Sequence, residues 1–183
     1  MLKVEIARIP PEGLEIDAPL SAESVHLESE AEFGLEETGR LRCRVDRGDD
    51  ESVHVRGRLE ASLRLHCGRC LDAFSHQVGQ ELDLFYLPRR DAPSGGEEGE
   101  DEVALSDREL VVAFHSGDVL DLGEMVREQL FLALPMKRLC REGCRGLCPT
   151  CGMNRNRAAC SCAEAEEIDP RLSPLKELLN RKR

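Results

Sequence analysis

Six of the nine cysteines in this chain lie within residues 140–162, which read CREGCRGLCPTCGMNRNRAACSC. Thiols at this density indicate either a metal site or disulfides. Cys148 and Cys151 have the spacing of a zinc knuckle, in which two intervening residues let both sulfurs reach one tetrahedral ion at about 2.3 Å. Cys160 and Cys162 follow closely enough to complete a set of four sulfurs. We call these four residues the local cluster.

A second set of four cysteines combines two distant parts of the chain. Cys67 and Cys70 form a CxxC far upstream, and Cys140 and Cys144 precede the local cluster. We call these four residues the bridging cluster and predict that it holds a second zinc ion, since metal binding often draws distant segments together during folding. The alternative is that Cys67 and Cys70 are an incidental or redox-active pair and that one ion binds.

The reducing environment expected for this chain favours metal over disulfides. No stretch approaches the roughly 20 apolar residues that span a bilayer, and the N-terminal residues do not resemble a signal peptide. We therefore expect a cytoplasmic protein. Thiols in the cytoplasm stay reduced, and clustered cysteines there bind metal more often than they form disulfides.

The charge of the chain is unevenly distributed. The formal net charge is −11, but residues 137–183 contain 11 lysines and arginines against 6 aspartates and glutamates, and the remaining residues contain 14 against 30. The cysteine-rich end is therefore basic and suits contact with a phosphate backbone. The alternative is that its basic residues are ordinary solvated side chains. The candidate nucleic-acid-binding residues are Lys137, Arg138, Arg141, Arg145, Arg155 and Arg157.

The elements that must position the cysteines begin with a strict alternation of apolar and polar residues over positions 53–67. This period of two predicts one long β-strand with a single buried face. A second alternating segment covers residues 74–86, so Cys67 and Cys70 are predicted at the tip of a long hairpin. Cys43 lies on the apolar side of an earlier strand and is interpreted as a small core residue.

A helix is predicted to join the sheet to the cysteines. Asp121 is a suitable cap for a helix over residues 122–134, and Pro135 ends it shortly before Cys140. These elements predict an α+β fold with a mainly antiparallel β-sheet, a long hairpin and one connecting helix. A C-terminal cysteine-rich zinc-binding region and a terminal helix complete the predicted fold.

We predict two regions along the chain. Residues 1–136 form a β-rich body that includes an acidic loop at 88–102, and residues 137–183 form the metal-binding region with a basic terminal helix from Asp169. At 183 residues the chain has room for one moderate core, which must be aliphatic because aromatic residues make up only 3% of the sequence. Residues 21–38 are compatible with a strand, a short helix or a wrapping arm.

A set of motifs spread along the chain carries a family resemblance. These motifs are Cys67-Gly-Arg-Cys70-Leu71, Leu132-Ala-Leu-Pro135, the segment from Cys140 to Cys144, Gly146-Leu-Cys-Pro-Thr-Cys-Gly152 with Asn154, and Asp169-Pro-Arg-Leu with Leu175-Lys. Together they resemble the YceD family of bacteria and plastids. The resemblance implies a non-enzymatic factor needed for accumulation of large-subunit (23S) ribosomal RNA. Its implied partner is a ribosomal RNA precursor or a large-subunit ribosomal protein, with no membrane and no small-molecule substrate.

The residues themselves favour a binding protein over an enzyme. A catalytic zinc usually keeps one position open for water, whereas all-cysteine sites are closed and structural. The sequence has no HExxH, no Gly-rich phosphate loop and no nucleophile elbow, so we predict no catalytic residues. A redox CxxC is expected at a helix N-terminus, and this one lies between two strands. The nearest alternative is a zinc-stabilised nucleic-acid-binding regulator, but no clear recognition helix is visible.

Overall fold

The computed structural model describes residues 2–28, 33–89 and 112–162. Within these ranges the chain forms eight strands, one 3₁₀ helix and one α-helix. None of the helices in these ranges has the length and hydrophobicity of a membrane-spanning segment. The elements in chain order are β1 (Lys3–Glu5), the 3₁₀ helix (Ile6–Arg8), β2 (Leu14–Leu20), β3 (Phe33–Leu35), β4 (Gly39–Arg47), β5 (Val53–His66), β6 (Ala73–Pro88), β7 (Val112–His115), β8 (Val119–Asp121) and α1 (Leu122–Leu132).

Most of the strands form one mixed sheet in the order β2-β4-β5-β6-β7. Neighbouring strands are antiparallel except β6 and β7, which are parallel. β3 pairs with the part of β5 that extends beyond β4, and β1 and β8 form a separate two-stranded sheet. The predicted α+β class, with a mainly antiparallel sheet and a connecting helix, is confirmed. The parallel β6 and β7 pair was not predicted.

The two longest strands set the position of the first cysteine pair. β5 and β6 run antiparallel from Val53 opposite Tyr86 to His66 opposite Ala73. Apolar residues at every second position of β5 face one side of the sheet, where branched side chains pack well. This face is the centre of the main core. The residues of β5 with no exposed surface are Val53, Val55, Leu59, Leu63 and Leu65.

Helix α1 shares this core and leads the chain toward the second cysteine pair. The Asp121 carboxylate caps the helix by accepting the N–H groups of Gly123 at 2.9 Å and Glu124 at 3.2 Å. Phe131 meets Phe33 of the sheet edge-to-face, with ring centroids 4.9 Å apart. The helix ends two residues before the predicted end at 134.

Arginines on the opposite, open face of the sheet pair with carboxylates of the same or neighbouring strands. Asp46 accepts from Arg44 at 2.8 Å and from Arg56 at 2.9 Å. Arg40 donates through two nitrogens to Asp17. Exposed pairs of this kind contribute little to stability, because solvent screens them. Their effect here is to neutralise the positive charge of the open face locally.

Some predictions fall on segments that the structure describes only in part. In the segment 21–38, residues 22–26 form turns that precede the buried Leu27, and β3 follows. Only the first two residues of the predicted acidic loop 88–102 lie within the described ranges, and the predicted terminal helix lies outside them. The proposed boundary between residues 136 and 137 stays a prediction.

Gly57 is required where β4 approaches β5 closely. A Cβ at this position would lie 2.5 Å from the Cα of Cys43 and would also press on the carbonyl oxygen of Arg42. Both are backbone atoms, which cannot move without opening the β4–β5 pairing. We expect Gly57→Ala to lower the free energy of unfolding by about 1–3 kcal/mol, measured by urea denaturation with circular dichroism.

Gly79→Ala is the matched control for Gly57→Ala. A Cβ there would meet only the far end of the Arg58 side chain, at 3.8 Å. An equal loss of stability in Gly79→Ala would show that alanine in these long strands, rather than the close approach of β4, causes the effect.

Candidate metal centres

The first half of the bridging cluster lies in the turn between β5 and β6. The N–H of Cys67 donates to the carbonyl oxygen of Asp72 at 2.9 Å, which closes the turn around Cys70. The N–H of Gly68 donates to the carbonyl oxygen of Arg138 at 2.7 Å. This second bond holds the segment after α1 against the turn.

The four sulfurs of the bridging cluster converge on one point. The Sγ atoms of Cys67 and Cys144 are 3.7 Å apart, and those of Cys70 and Cys140 are also 3.7 Å apart. All four lie within 4.8 Å of one another. A tetrahedral ion with bonds of about 2.3 Å would separate its sulfurs by about 3.8 Å, whereas a disulfide bond is about 2.05 Å long. The spacing therefore fits four ligands of one metal ion.

The local cluster is built on a tight turn. The N–H of Gly152 donates to the carbonyl oxygen of Cys148 at 2.9 Å, and the N–H of Cys148 donates to the carbonyl oxygen of Met153 at 2.8 Å. Gly152 has a φ of 71°, a conformation that glycine adopts without strain. The four sulfurs of this cluster also lie within 4.8 Å of one another. The structure thus brings together the same two sets of cysteines that the sequence suggested.

The two clusters differ in exposure. Cys67, Cys70 and Cys144 of the bridging cluster are buried, whereas Cys151 of the local cluster is exposed. None of the nine cysteines forms a disulfide bond. Solvent, chelators and oxidants therefore reach the local cluster more readily than the bridging cluster.

Backbone amides favour the thiolate form of cysteines in both clusters. Burial raises the pKa of Cys67, but backbone N–H groups, that of Cys140 first, outweigh it and lower this pKa to about 6. Backbone N–H groups, first that of Cys151, likewise lower the pKa of Cys148 to about 6. Burial instead raises the pKa of Cys43, in the main core, to about 11. Cys43 is thus a neutral core thiol, as its position in the sequence indicated.

Crowding opposes a full set of thiolates without a cation. The neighbouring Cys151 is the first cause that raises the pKa of Cys162, which reaches about 12. Sulfurs this close cannot all carry negative charge unless positive charge lies among them. A metal ion supplies that charge and releases the protons of its thiol ligands. The donor chemistry of both clusters therefore fits a thiophilic metal cation.

Polar residues beside the ligands were missed by the sequence reasoning. The Arg69 guanidinium donates to the carbonyl oxygens of Cys144 at 3.0 Å and Glu142 at 3.3 Å, which ties the two halves of the bridging cluster together. Asp72 accepts from the Asn154 side chain at 2.8 Å. Arg69 lies inside the CxxC and Asp72 two residues after it. Their closeness to ligands was the available signal, because outer-shell partners often lie there.

The six predicted nucleic-acid-binding residues have different surroundings. Arg141 and Arg157 donate to polar side chains of the cysteine-rich region and its neighbouring turn at 3.0 and 2.8 Å, and thus help to hold the region together. Arg138 and Arg155 are half-buried. A nucleic-acid-binding role for the six stays a prediction. Lys137 and Arg145 are exposed, and within the described ranges their side chains have no structural role of this kind.

Metal content provides a direct test of the clusters. We expect the purified chain to hold two metal ions, and Cys70→Ser to hold about one, because a hydroxyl is a poor ligand for a thiophilic ion. Inductively coupled plasma mass spectrometry measures the metal per chain. Cys43→Ala, which removes a cysteine outside both clusters, should keep the wild-type content. A metal-free wild-type chain prepared under reducing conditions would contradict the prediction.

Comparison with known proteins places this arrangement in a family. The family model described as "Large ribosomal RNA subunit accumulation protein YceD" matches residues 55–179, more than half of the chain and every cysteine of both clusters. Uncharacterized proteins of Mycobacterium tuberculosis and Mycobacterium bovis are each 34% identical over 130 residues, covering 70% of this chain and 56% of the relative.

A plant relative extends the comparison. A Zea mays protein named "Large ribosomal RNA subunit accumulation protein YCED homolog 1, chloroplastic" is 31% identical over 106 residues, covering 54% of this chain and 35% of the relative. The chain thus spans about half or less of the length of these curated relatives. No solved structure matches it significantly. The family match confirms the resemblance carried by the sequence motifs: this chain belongs to the YceD family.

Proposed function

We propose that this chain is a non-enzymatic ribosome biogenesis factor that promotes accumulation of large-subunit (23S) ribosomal RNA. It acts by binding a precursor of that RNA or an assembling large-subunit ribosomal protein. The observation that carries this proposal is the family match over residues 55–179, which includes most of β5 and all of β6 and both cysteine clusters. The relative from Zea mays is named for the same process.

Zinc is the metal that best suits both clusters. All eight candidate ligands are cysteines, and the 3.7 Å sulfur separations in the bridging cluster agree with a tetrahedral ion of this size. When bound, zinc supplies a cross-link and positive charge without redox chemistry. Four protein ligands leave no coordination position for water or substrate, which supports a structural role.

The open face of the sheet also supports a non-enzymatic role. A groove of about 380 Å³ on this face is lined by five charged residues together with Ile16, Cys43 and Gly57. Arg44 and Arg56 both bind Asp46, and Arg42 lies 3.7 Å from Asp17. Each of the three arginines that line the groove is therefore paired with a carboxylate. They form a solvated network of ion pairs, and such a network stabilises a surface without holding an acid or base ready for a substrate.

The distribution of charge points to the cysteine-rich region as the RNA-binding part. Residues 137–162 carry six lysines and arginines and one acidic residue, Glu142. The arginines of the open face, in contrast, already have carboxylate partners. We therefore assign phosphate contacts to Lys137 and Arg145, which are exposed beside the clusters. The acidic body would be repelled by RNA and suits a basic ribosomal protein.

Removal of the two exposed cations tests the RNA contact. We expect Lys137→Ala with Arg145→Ala to weaken binding to large-subunit RNA fragments. The salt dependence of log K should also become shallower by about 0.7 for each single-strand phosphate that the variant no longer neutralises. Fluorescence anisotropy at several salt concentrations measures both quantities. Arg8→Ala with Arg47→Ala removes the same charge from exposed positions of the body, and an equal loss there would reject a specific role for Lys137 and Arg145.

Depletion of the protein in its host tests the biological role. We expect a selective fall in the ratio of large- to small-subunit ribosomal RNA, restored by the wild-type chain and by Cys43→Ala. Cys70→Ser with Cys144→Ser should fail to restore it, because the cysteine-rich region would lose the anchor that joins it to the sheet. Quantitative RNA analysis and ribosomal subunit profiles provide the measurement. A normal ratio after complete depletion would reject the proposed function.

A further inference from the structure

Asn156 connects the two clusters. It lies between Cys151 and Cys160 in the loop of the local cluster, yet its Nδ2 donates to the Sγ of Cys144 in the bridging cluster at 3.4 Å. Its Oδ1 accepts the backbone N–H of Arg145 at 2.8 Å. One side chain of the local loop therefore contacts a sulfur of the other cluster and also holds the backbone next to it.

The fold of the local cluster determines where Asn156 points. Leu147 and Asn154 form an isolated β-bridge on either side of the knuckle that contains Cys148. The Oδ1 of Asn154 accepts the backbone N–H of Asn156 at 3.0 Å and its Nδ2 at 2.9 Å. Because the knuckle, the bridge and these bonds are contiguous, ordering of the knuckle also orders the side chain that reaches Cys144.

Asp72 provides a contact in the opposite direction. It belongs to the turn of the bridging cluster, where its carbonyl oxygen accepts the N–H of Cys67 at 2.9 Å. Its two carboxylate oxygens accept from Asn154 and Arg157, both in the local loop, at 2.8 Å each. Asn156 of the local loop therefore contacts the backbone and a sulfur of the bridging cluster. Asp72 of the bridging turn contacts side chains of the local loop.

We propose that the two metal centres form one coupled unit, in which Asn156 is a positioning residue for the bridging centre and is delivered by the loop of the local centre. This inference rests on the proposed occupancy of both clusters by zinc. A zinc ion with four thiolates carries net negative charge, and the N–H of Asn156 stabilises that charge at Cys144. Zinc in either cluster orders the shared contacts, and so it raises the affinity of the other cluster.

Two double variants isolate the clusters for the test. Cys151→Ser with Cys162→Ser keeps only the bridging cluster, and Cys140→Ser with Cys144→Ser keeps only the local cluster. Native mass spectrometry of the full-length chain in zinc buffers gives the zinc-binding constant of each variant and the constant for binding both ions to the wild type. If the clusters are independent, the constant for binding both ions to the wild type equals the product of the two single-cluster constants. We expect it to exceed that product about tenfold to a hundredfold, the usual effect of an outer-shell partner.

Asn156→Asp tests the residue that carries the coupling. The substitution keeps an oxygen acceptor for Arg145 but loses the N–H that reaches Cys144. The substitution is made in the wild type and in both double variants. The constant for binding both zinc ions should then equal the product of the two single-cluster constants. Ala158→Asp adds the same charge at an exposed position of the same loop and should keep the excess. If circular dichroism shows that Asn156→Asp does not fold, Asp72→Asn tests the link from the bridging side.

The outcomes separate this inference from the proposed function. Two bound zinc ions with no excess over the product in the wild type would overturn the coupling and leave the structural zinc sites in place. An excess that survives in Asn156→Asp would overturn the role of Asn156. A wild-type chain that binds no zinc would overturn the proposed use of zinc itself.

Discussion

The convergence of four thiols at the bridging cluster is the constraint on which the cysteine-rich region depends. Cys70 and Cys140 are 70 residues apart in sequence, and their sulfurs lie 3.7 Å apart. Bringing such distant segments together costs chain entropy, and crowding of the sulfurs adds electrostatic repulsion once they ionise. A metal cation bound by the four sulfurs would offset both costs. The turn after β5 and the segment after α1 acquire a defined relative position through this contact.

The sheet and the clusters stabilise different parts of the molecule. The main core is built from apolar side chains of the strands and α1, whereas Cys67, Cys70 and Cys144 form a small separate core with few apolar neighbours. A core of this size contributes little hydrophobic free energy. The β5 and β6 strands present the turn, and the backbone bond from Gly68 to Arg138 and the Arg69 guanidinium hold the segment that contains Cys140 and Cys144 against it. The cysteine-rich region thus depends on the sheet for its position and on its thiols for its order.

The sheet and the cysteine-rich region also differ in how their positive charge is balanced. Arginines on the open face of the sheet lie beside carboxylates on neighbouring strands, whereas the cysteine-rich region carries a local excess of positive charge. Part of that excess is structural, because Arg69, Arg141 and Arg157 bind carbonyl, amide and carboxylate groups around the clusters. Some basic residues beside a cluster therefore hold the region together, whereas others are exposed charges on its surface. Only their individual contacts separate these two groups.

The sequence by itself determined the features that have a local signal. Alternation over residues 53–67 specified a long strand with one buried face, Asp121 marked the start of α1, and the CxxC and CxC spacings marked the four cysteines of the local cluster as one set. Each of these signals comes from backbone geometry that repeats within a few residues, so a short window of sequence contains it.

The tertiary structure alone decided the parallel pairing of β6 with β7, the continuation of the β5 edge by β3, and the contacts of Asp72 and Asn156 between the clusters. Asp72 and Asn156 are ordinary polar residues in sequence. Their roles arise from the approach of segments that are 12 to 82 residues apart. No periodic pattern in the sequence indicates such an approach, because it depends on the path of the chain through the whole sheet and α1.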